Sequence, residues 1–426
     1  MKYISSCSLS FIISQIQNDL LEPKNLIDEL CDKIDNWDSK IKAFLPEKNR
    51  RERLQKELLD LNKKFPIKKN RPIFFGIPVG IKDIFIVDGF ETKAGANLPS
   101  KLFEGDEADV VRVLKKNGAL ILGKMVTTEF AYFHPGSTAN PHNIKHTPGG
   151  SSSGSAAAVA AGFCPLSFGT QTIGSISRPA SFCGVIGFKP SYDRISINGV
   201  IPFSASADHV GFFTQDMKGV DITASIIVKN WNNSCKMFQK PVFGIPQGKY
   251  LEQASEEVLE AFYKSIEVLK NRGYEVKSIP IFEDIEDINA KHRLMNAAEF
   301  SQVHNKWQKE HKDKYHKASL ELIEKGNNVD AKDLNEAIAD RELIRDKIDR
   351  IQNQENIDIW ISPSAPTVAP KGLSSTGNPI MNLPWTYIGV PTLSIPFGFI
   401  DDLPYGIQFA GKFNKDEELV FFLKDF

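Results

Sequence analysis

Gly149 to Pro190 reads GGSSSGSAAAVAAGFCPLSFGTQTIGSISRPASFCGVIGFKP. Two loops of small residues, one serine-rich and one a Gly-Ser turn (Thr172 to Ile176), flank an alanine run. Ala156 to Ala161 predicts a helix that Gly162 ends, and the apolar run Leu166 to Gly169 leads into the second loop. Serines before a helix are most often caps, and Ser153 or Ser155 suits that role. Capping does not account for four serines together with Gly149 and Gly150. Small residues let a backbone close tightly around a reacting centre. On its turn Ser175 can expose its hydroxyl while adjacent N–H groups point at one spot, which suits a nucleophile beside an oxyanion hole.

Upstream lies GIPVGIKDIF, Gly76 to Phe85, with Lys82 among Val79, Ile81, Ile84 and Phe85. Lysine is seldom fully buried without a partner. If this strand enters the core, desolvation lowers the amine's pKa and makes it a general base. The window alone fits equally a surface lysine on an edge strand. A competing pattern is Gly150-Ser151-Ser152-Ser153-Gly154, which fits G-x-S-x-G with Ser152 as nucleophile and His209 as a partner. That elbow must follow a strand, and Asn140 to Pro148 reads as coil.

With 52 basic and 53 acidic side chains the net charge is −1, so no electrostatic footprint for nucleic acid or an anionic membrane is present. Hydrophobic residues at 41% place the chain among ordinary globular proteins. Cys7, Cys31, Cys164, Cys183 and Cys235 are scattered and odd in number, without zinc spacing, which predicts reduced thiols and a cytoplasmic location. Serines interrupt the first twenty residues, so these predict a packed helix rather than an export signal. No run reaches the ~18 apolar residues that span a bilayer.

The organisation predicts one α/β domain over residues 1–426, with N-terminal helices in 1–70 and a core in 71–230. A charged helical layer follows in 251–350, and strands return in 357–426. Within the core, Asp109 to Lys124 reads as an amphipathic helix stopped at Gly118 and followed by the strand Ala119 to Leu122.

From about Leu20 to the C-terminus the chain resembles the amidase signature family, most specifically over Pro148 to Pro190. The resemblance implies a large twisted mixed β-sheet surrounded by helices. It also implies an amidase acting on a non-peptide C–N bond through a Ser–Ser–Lys triad and an acyl-enzyme. Carried over by position, Ser175 is the nucleophile, Ser151 the relay serine on a cis peptide bond, and Lys82 the base. Thr172, Ile173, Gly174 and Ser175 supply the oxyanion hole, and Thr170 orients Ser151. Neither metal nor organic cofactor is implied. The partner is a small-molecule amide, and homodimers are common in the family.

The family usually reads GTDTGGSIR. Here Gln171, Ile173 and Ser177 depart from it, and Arg178 follows one place late. GTQTxGSxxRPA with Gln215 looks like the malonamidase and biuret hydrolase-type branch, which implies that Arg178 and Gln215 hold an anionic or urea-like substrate. Two alternatives stand beside this: an amidotransferase subunit that feeds a partner, and a catalytically dead binding protein. The second rests on Ile173, where a β-branched residue would be strained if φ were positive. Phe130, Tyr132, Phe133 and His134 are expected to serve as core and rim.

Overall fold

The structure is a computed structural model describing residues 2–235 and 240–426. The strands are β1 (Pro78–Lys82), β2 (Leu120–Met125), β3 (Leu166–Gln171), β4 (Ile186–Lys189) and β5 (His209–Thr214). Then come β6 (Phe243–Gln247), β7 (Val276–Pro280), β8 (Ile359–Pro363), β9 (Thr392–Ile400) and β10 (Leu403–Ala410). All ten join one sheet in the order β2-β1-β3-β5-β4-β9-β10-β8-β6-β7. The flanks β2-β1-β3 and β8-β6-β7 are parallel, and the strands between them are antiparallel. This is the expected mixed sheet with helices packed around it.

Strands buried on both faces read as continuous apolar runs, and β1, β2 and β3 are buried at every position. Lys82 closes β1, which lies between β2 and β3, so the edge-strand alternative is excluded. The alanine helix, Ser153–Ala160, packs on β3 because its side chains are small. Gly169 makes the approach possible, since a Cβ there would fall 2.5 Å from Ser152 Oγ.

The charged segment forms long helices, Glu256–Asn271, Ile285–His311, Lys317–Asn327 and Ala331–Gln354. It also contains β7, which the charge pattern hides because this edge strand is only partly buried. Helices 285–311 and 317–327 touch closely at Gly326, where a Cβ would lie 1.9 Å from the Ala297 carbonyl oxygen. The N-terminal stretch forms the helix Leu9–Gln17. All five cysteines are unpaired. Among the described residues no helix is long and apolar enough to cross a membrane.

Candidate active site

Lys82 is fully buried, and its Nζ lies 2.7 Å from Ser151 Oγ and 2.8 Å from Thr170 Oγ1. Desolvation pushes the amine's pKa well below the ordinary lysine value, and the buried Asp208 opposes that shift. Burial therefore favours the neutral amine, the form that can accept a proton. Thr170 meets Lys82 itself, so it helps to position the amine. The Gly150–Ser151 peptide bond is cis, as the resemblance implies.

β3 delivers Ser175 to the site, because the chain turns at its end and enters the helix Ser177–Cys183. Among the described residues the Ser175 Oγ has no hydrogen-bond partner, nor do the N–H groups of Ile173, Gly174 and Ser175 donate to one. The turn is gripped from outside. Thr172 Oγ1 donates to Asp208 Oδ1, and His292 Nε2 lies 2.9 Å from the Thr172 carbonyl oxygen. Thr386 Oγ1 donates to the Ile173 carbonyl at 2.7 Å. A planar trans peptide points its C=O and N–H in opposite directions, so fixing these two carbonyls fixes the N–H groups of Ile173 and Gly174.

Burial raises the Asp208 carboxyl to about 6, although Thr172 and the N–H groups of Phe203 and Ser204 hold its charged form. Burial likewise depresses His292 to about 3, so its imidazole is neutral and donates from Nε2.

Ile173 is not among the residues with positive φ, so the β-branched side chain carries no such strain. The ground for a dead site falls with it. The serines do not cap. The Ser153 and Ser155 hydroxyls donate instead to the Val126 and Phe168 carbonyls, because the helix start is pressed against β2 and β3. The Ser152 hydroxyl is committed to Thr170, donating to its carbonyl and accepting from its N–H. That leaves the elbow pattern no nucleophile.

A match to the Amidase family model spans residues 25–420. The chain belongs to the amidase signature family. It is 30% identical to the A subunit of glutamyl-tRNA(Gln) amidotransferase from Staphylococcus aureus (strain Mu3), over 95% of this chain and 93% of that one. A solved structure described as "Crystal structure of amidase" has a TM-score of 0.89 at 29% identity, covering 98% of each chain. A second is described as a vestigial complex that reveals the evolutionary origins of an s-triazine catabolic enzyme. It gives 0.85 at 25% identity, again over 98% of each chain.

Two departures from the usual family sequence have local explanations. Gln171 Oε1 accepts from the N–H groups of Ile176 and Ser177, at the start of the helix after Ser175, and Nε2 donates to Thr386. Arg178 is only 2% exposed; Nη2 donates to the Gly150 carbonyl and to Thr376 Oγ1. Among the described residues its Nε and Nη1 have no partner, and burial alone lowers its pKa to about 9.

Gln215 requires a correction. Its Oε1 accepts from the Cys7 N–H, and its Nε2 donates to the Ser5 and Val159 carbonyls. Every polar atom of the amide is thus spent tying the N-terminal segment to the alanine helix, and none is left for a substrate. Of the four aromatic-loop residues, Phe130 is core, while Tyr132 and Phe133 line a cavity that Ile173 also borders. His134 stacks on His316 with ring centroids 3.6 Å apart. Sequence reasoning missed Asp208, His292 and Thr386, none of which lies in a motif.

Proposed function

We propose that the chain is an amidohydrolase that cleaves the C–N bond of a small carboxamide through a Ser175 acyl-enzyme. The observation that carries this reading is the buried Lys82 amine 2.7 Å from Ser151 Oγ, in a fold whose Ser175 hydroxyl is uncommitted among the described residues. Neutral Lys82 takes the Ser151 proton as Ser151 takes the proton of Ser175. Ser175 Oγ bonds to the amide carbon, and the oxyanion falls to the N–H groups of Ile173 and Gly174. Collapse breaks the C–N bond while Ser151 returns a proton to the departing amine and regains one from Lys82. Water then attacks the ester by the same relay, releasing a carboxylic acid and restoring Ser175.

The substrate in this reading carries an anionic or urea-like group near the scissile bond, with Arg178 as its anchor. Arg178 is a buried cation three residues from the nucleophile that forms no ion pair among the described residues. An uncompensated buried charge is costly, and a substrate carboxylate would offset it with a charge-assisted contact.

The test is ammonia release from malonamate, malonamide, biuret, glutamine and a hydrophobic primary amide, by wild type and Ser175→Ala. Release that favours malonamate or biuret and disappears in the variant is expected. Release that survives Ser175→Ala overturns the assignment. If Arg178→Ala lowers kcat/KM equally for neutral and carboxylated amides, the anchor is wrong.

A second reading, an amidotransferase component, is favoured by the 30% identity to the A subunit of glutamyl-tRNA(Gln) amidotransferase. It predicts that glutamine is the best member of the panel and that a partner co-purifies with the chain.

A further inference from the structure

Beside the nucleophile turn is a cavity of about 300 Å³, into which Ile173 faces from the turn. Tyr132, Phe133, Leu322 and Leu383 give it apolar walls. Helices 285–311 and 317–327 close its far side. Arg293 and Asn296 lie one turn apart on the first helix, and Lys325 lies one turn beyond Leu322 on the second.

The charges at this cavity are one-sided. No acid lines it, and among the described residues neither Arg293 nor Lys325 forms an ion pair. Glu321, whose charge acts on the cavity residue Tyr132 against that of Arg293, pairs at the surface with Lys317. In the wall between the two cations' elements, Asn296 is 3% exposed, and neither its amide oxygen nor its amide nitrogen has a partner among the described residues.

An apolar pocket with a few convergent polar groups is the usual form of a small-molecule site. A purely apolar occupant would leave the buried Asn296 amide without a partner, and a cationic one would be repelled by Arg293 and Lys325. A short polar occupant would leave the aromatic walls wet.

We infer that this cavity is a second subsite, which receives an apolar arm of the amide substrate ending in a carboxylate held by Arg293 and Lys325. Asn296 offers that arm a donor and an acceptor. The inference rests on the Ser175 chemistry above, because Ile173 joins the cavity to the nucleophile turn. It extends the substrate class from short amides to amides with a long acidic arm.

The test uses straight-chain monoamides of dicarboxylic acids, in which a growing run of methylenes separates the carboxamide from the carboxylate. Each is paired with the n-alkyl primary amide of equal length. Ammonia release is measured for wild type and for the Arg293→Gln/Lys325→Gln double variant, whose changes are at exposed positions. For wild type, kcat/KM should pass through a maximum with chain length, and the long acid should exceed its neutral counterpart by about tenfold or more. In the double variant that ratio should collapse towards one. A ratio unchanged by the double variant, or no preference in wild type, overturns the subsite.

Binding separates this from the chemistry. Calorimetric titration of Ser175→Ala with suberamate should show binding that the added Arg293→Gln/Lys325→Gln changes weaken about tenfold. Binding without turnover by wild type would refute the acyl-enzyme and leave the subsite standing. Turnover without the charge effect would do the reverse, and an absence of binding by Ser175→Ala would overturn the subsite.

Discussion

The hydroxyl of Thr386 donates to the carbonyl oxygen of Ile173 at 2.7 Å, across 213 positions of sequence. The same hydroxyl accepts from Gln171 Nε2 at 2.9 Å. Its lone pair being engaged by that donor, its proton is directed to the Ile173 and Asn382 carbonyls. The family's usual aspartate could not donate in this way. Gln171 and Thr386 therefore form a relay that sets the Gly174 N–H.

Gln171→Glu tests that relay with little change of shape. A carboxylate would accept the Thr386 proton and release the Ile173 carbonyl. Because losing one oxyanion donor costs ~10²–10³ in kcat, a loosened donor should cost about 10–100-fold, mostly in kcat, with KM little changed. Thr386→Val should reproduce the defect, and the double variant should be no worse than the poorer single. Additive losses would show that the two residues act separately.

The pH profile reports on Lys82 and Asp208 together. In the proposed mechanism Lys82 works as the neutral amine, so kcat/KM should fall as pH drops through its pKa, which burial places well below the ordinary lysine value. The Asp208 charge favours the ammonium and holds that pKa up. Asp208→Asn removes the charge, so the acid limb should move to lower pH even if the disturbed Thr172 contact lowers the plateau. A limb that stays in place would show that Lys82 does not feel Asp208.

Lys82, Ser151 and Ser175 were legible as candidates because each sits in a short local pattern: an amine in an apolar strand, and serines in two small-residue loops around an alanine helix. What holds these residues in place was not. Asp208 reaches Thr172 across 36 positions, His292 across 120, and Thr386 reaches Ile173 across 213. Periodicity speaks only to neighbours within a few residues, so it does not report such contacts. Capping failed at Ser153 and Ser155 for a related reason. Carbonyls of Val126 and Phe168, brought in by the sheet, compete successfully for their hydroxyls.

The helix pair behind the cavity depends on Gly326. Gly326 is the second-last residue of its helix, where alanine gains at most the ~1 kcal/mol over glycine that it is worth in a helix interior. A Cβ here, however, would sit 1.9 Å from the Ala297 carbonyl oxygen, within backbone that yields little. Overpacking of this kind costs about 1–3 kcal/mol, so it should outweigh the propensity gain. Gly326→Ala should lower Tm and, by shifting the wall that carries Leu322 and Lys325, raise KM more than it lowers kcat. An unchanged or raised Tm would mean that the two helices separate freely.

Burying Lys82 has a cost in stability that varies with pH in a fixed direction. The folded pKa lies below the unfolded value of about 10.4. Between those two values the unfolded chain binds more protons at this residue than the native one, so this residue's contribution to stability rises with pH there. Lys82→Met abolishes the titration while filling similar space, and it should also abolish activity. Urea unfolding of wild type and variant at pH 7 and pH 9.5 isolates the effect. The stability of wild type relative to Lys82→Met should improve at the higher pH, by up to about 1.4 kcal/mol for each unit of the window crossed. A difference that is flat with pH would show that Lys82 keeps its ordinary pKa in the fold and enters the site as a cation, which would remove the base from the proposed mechanism.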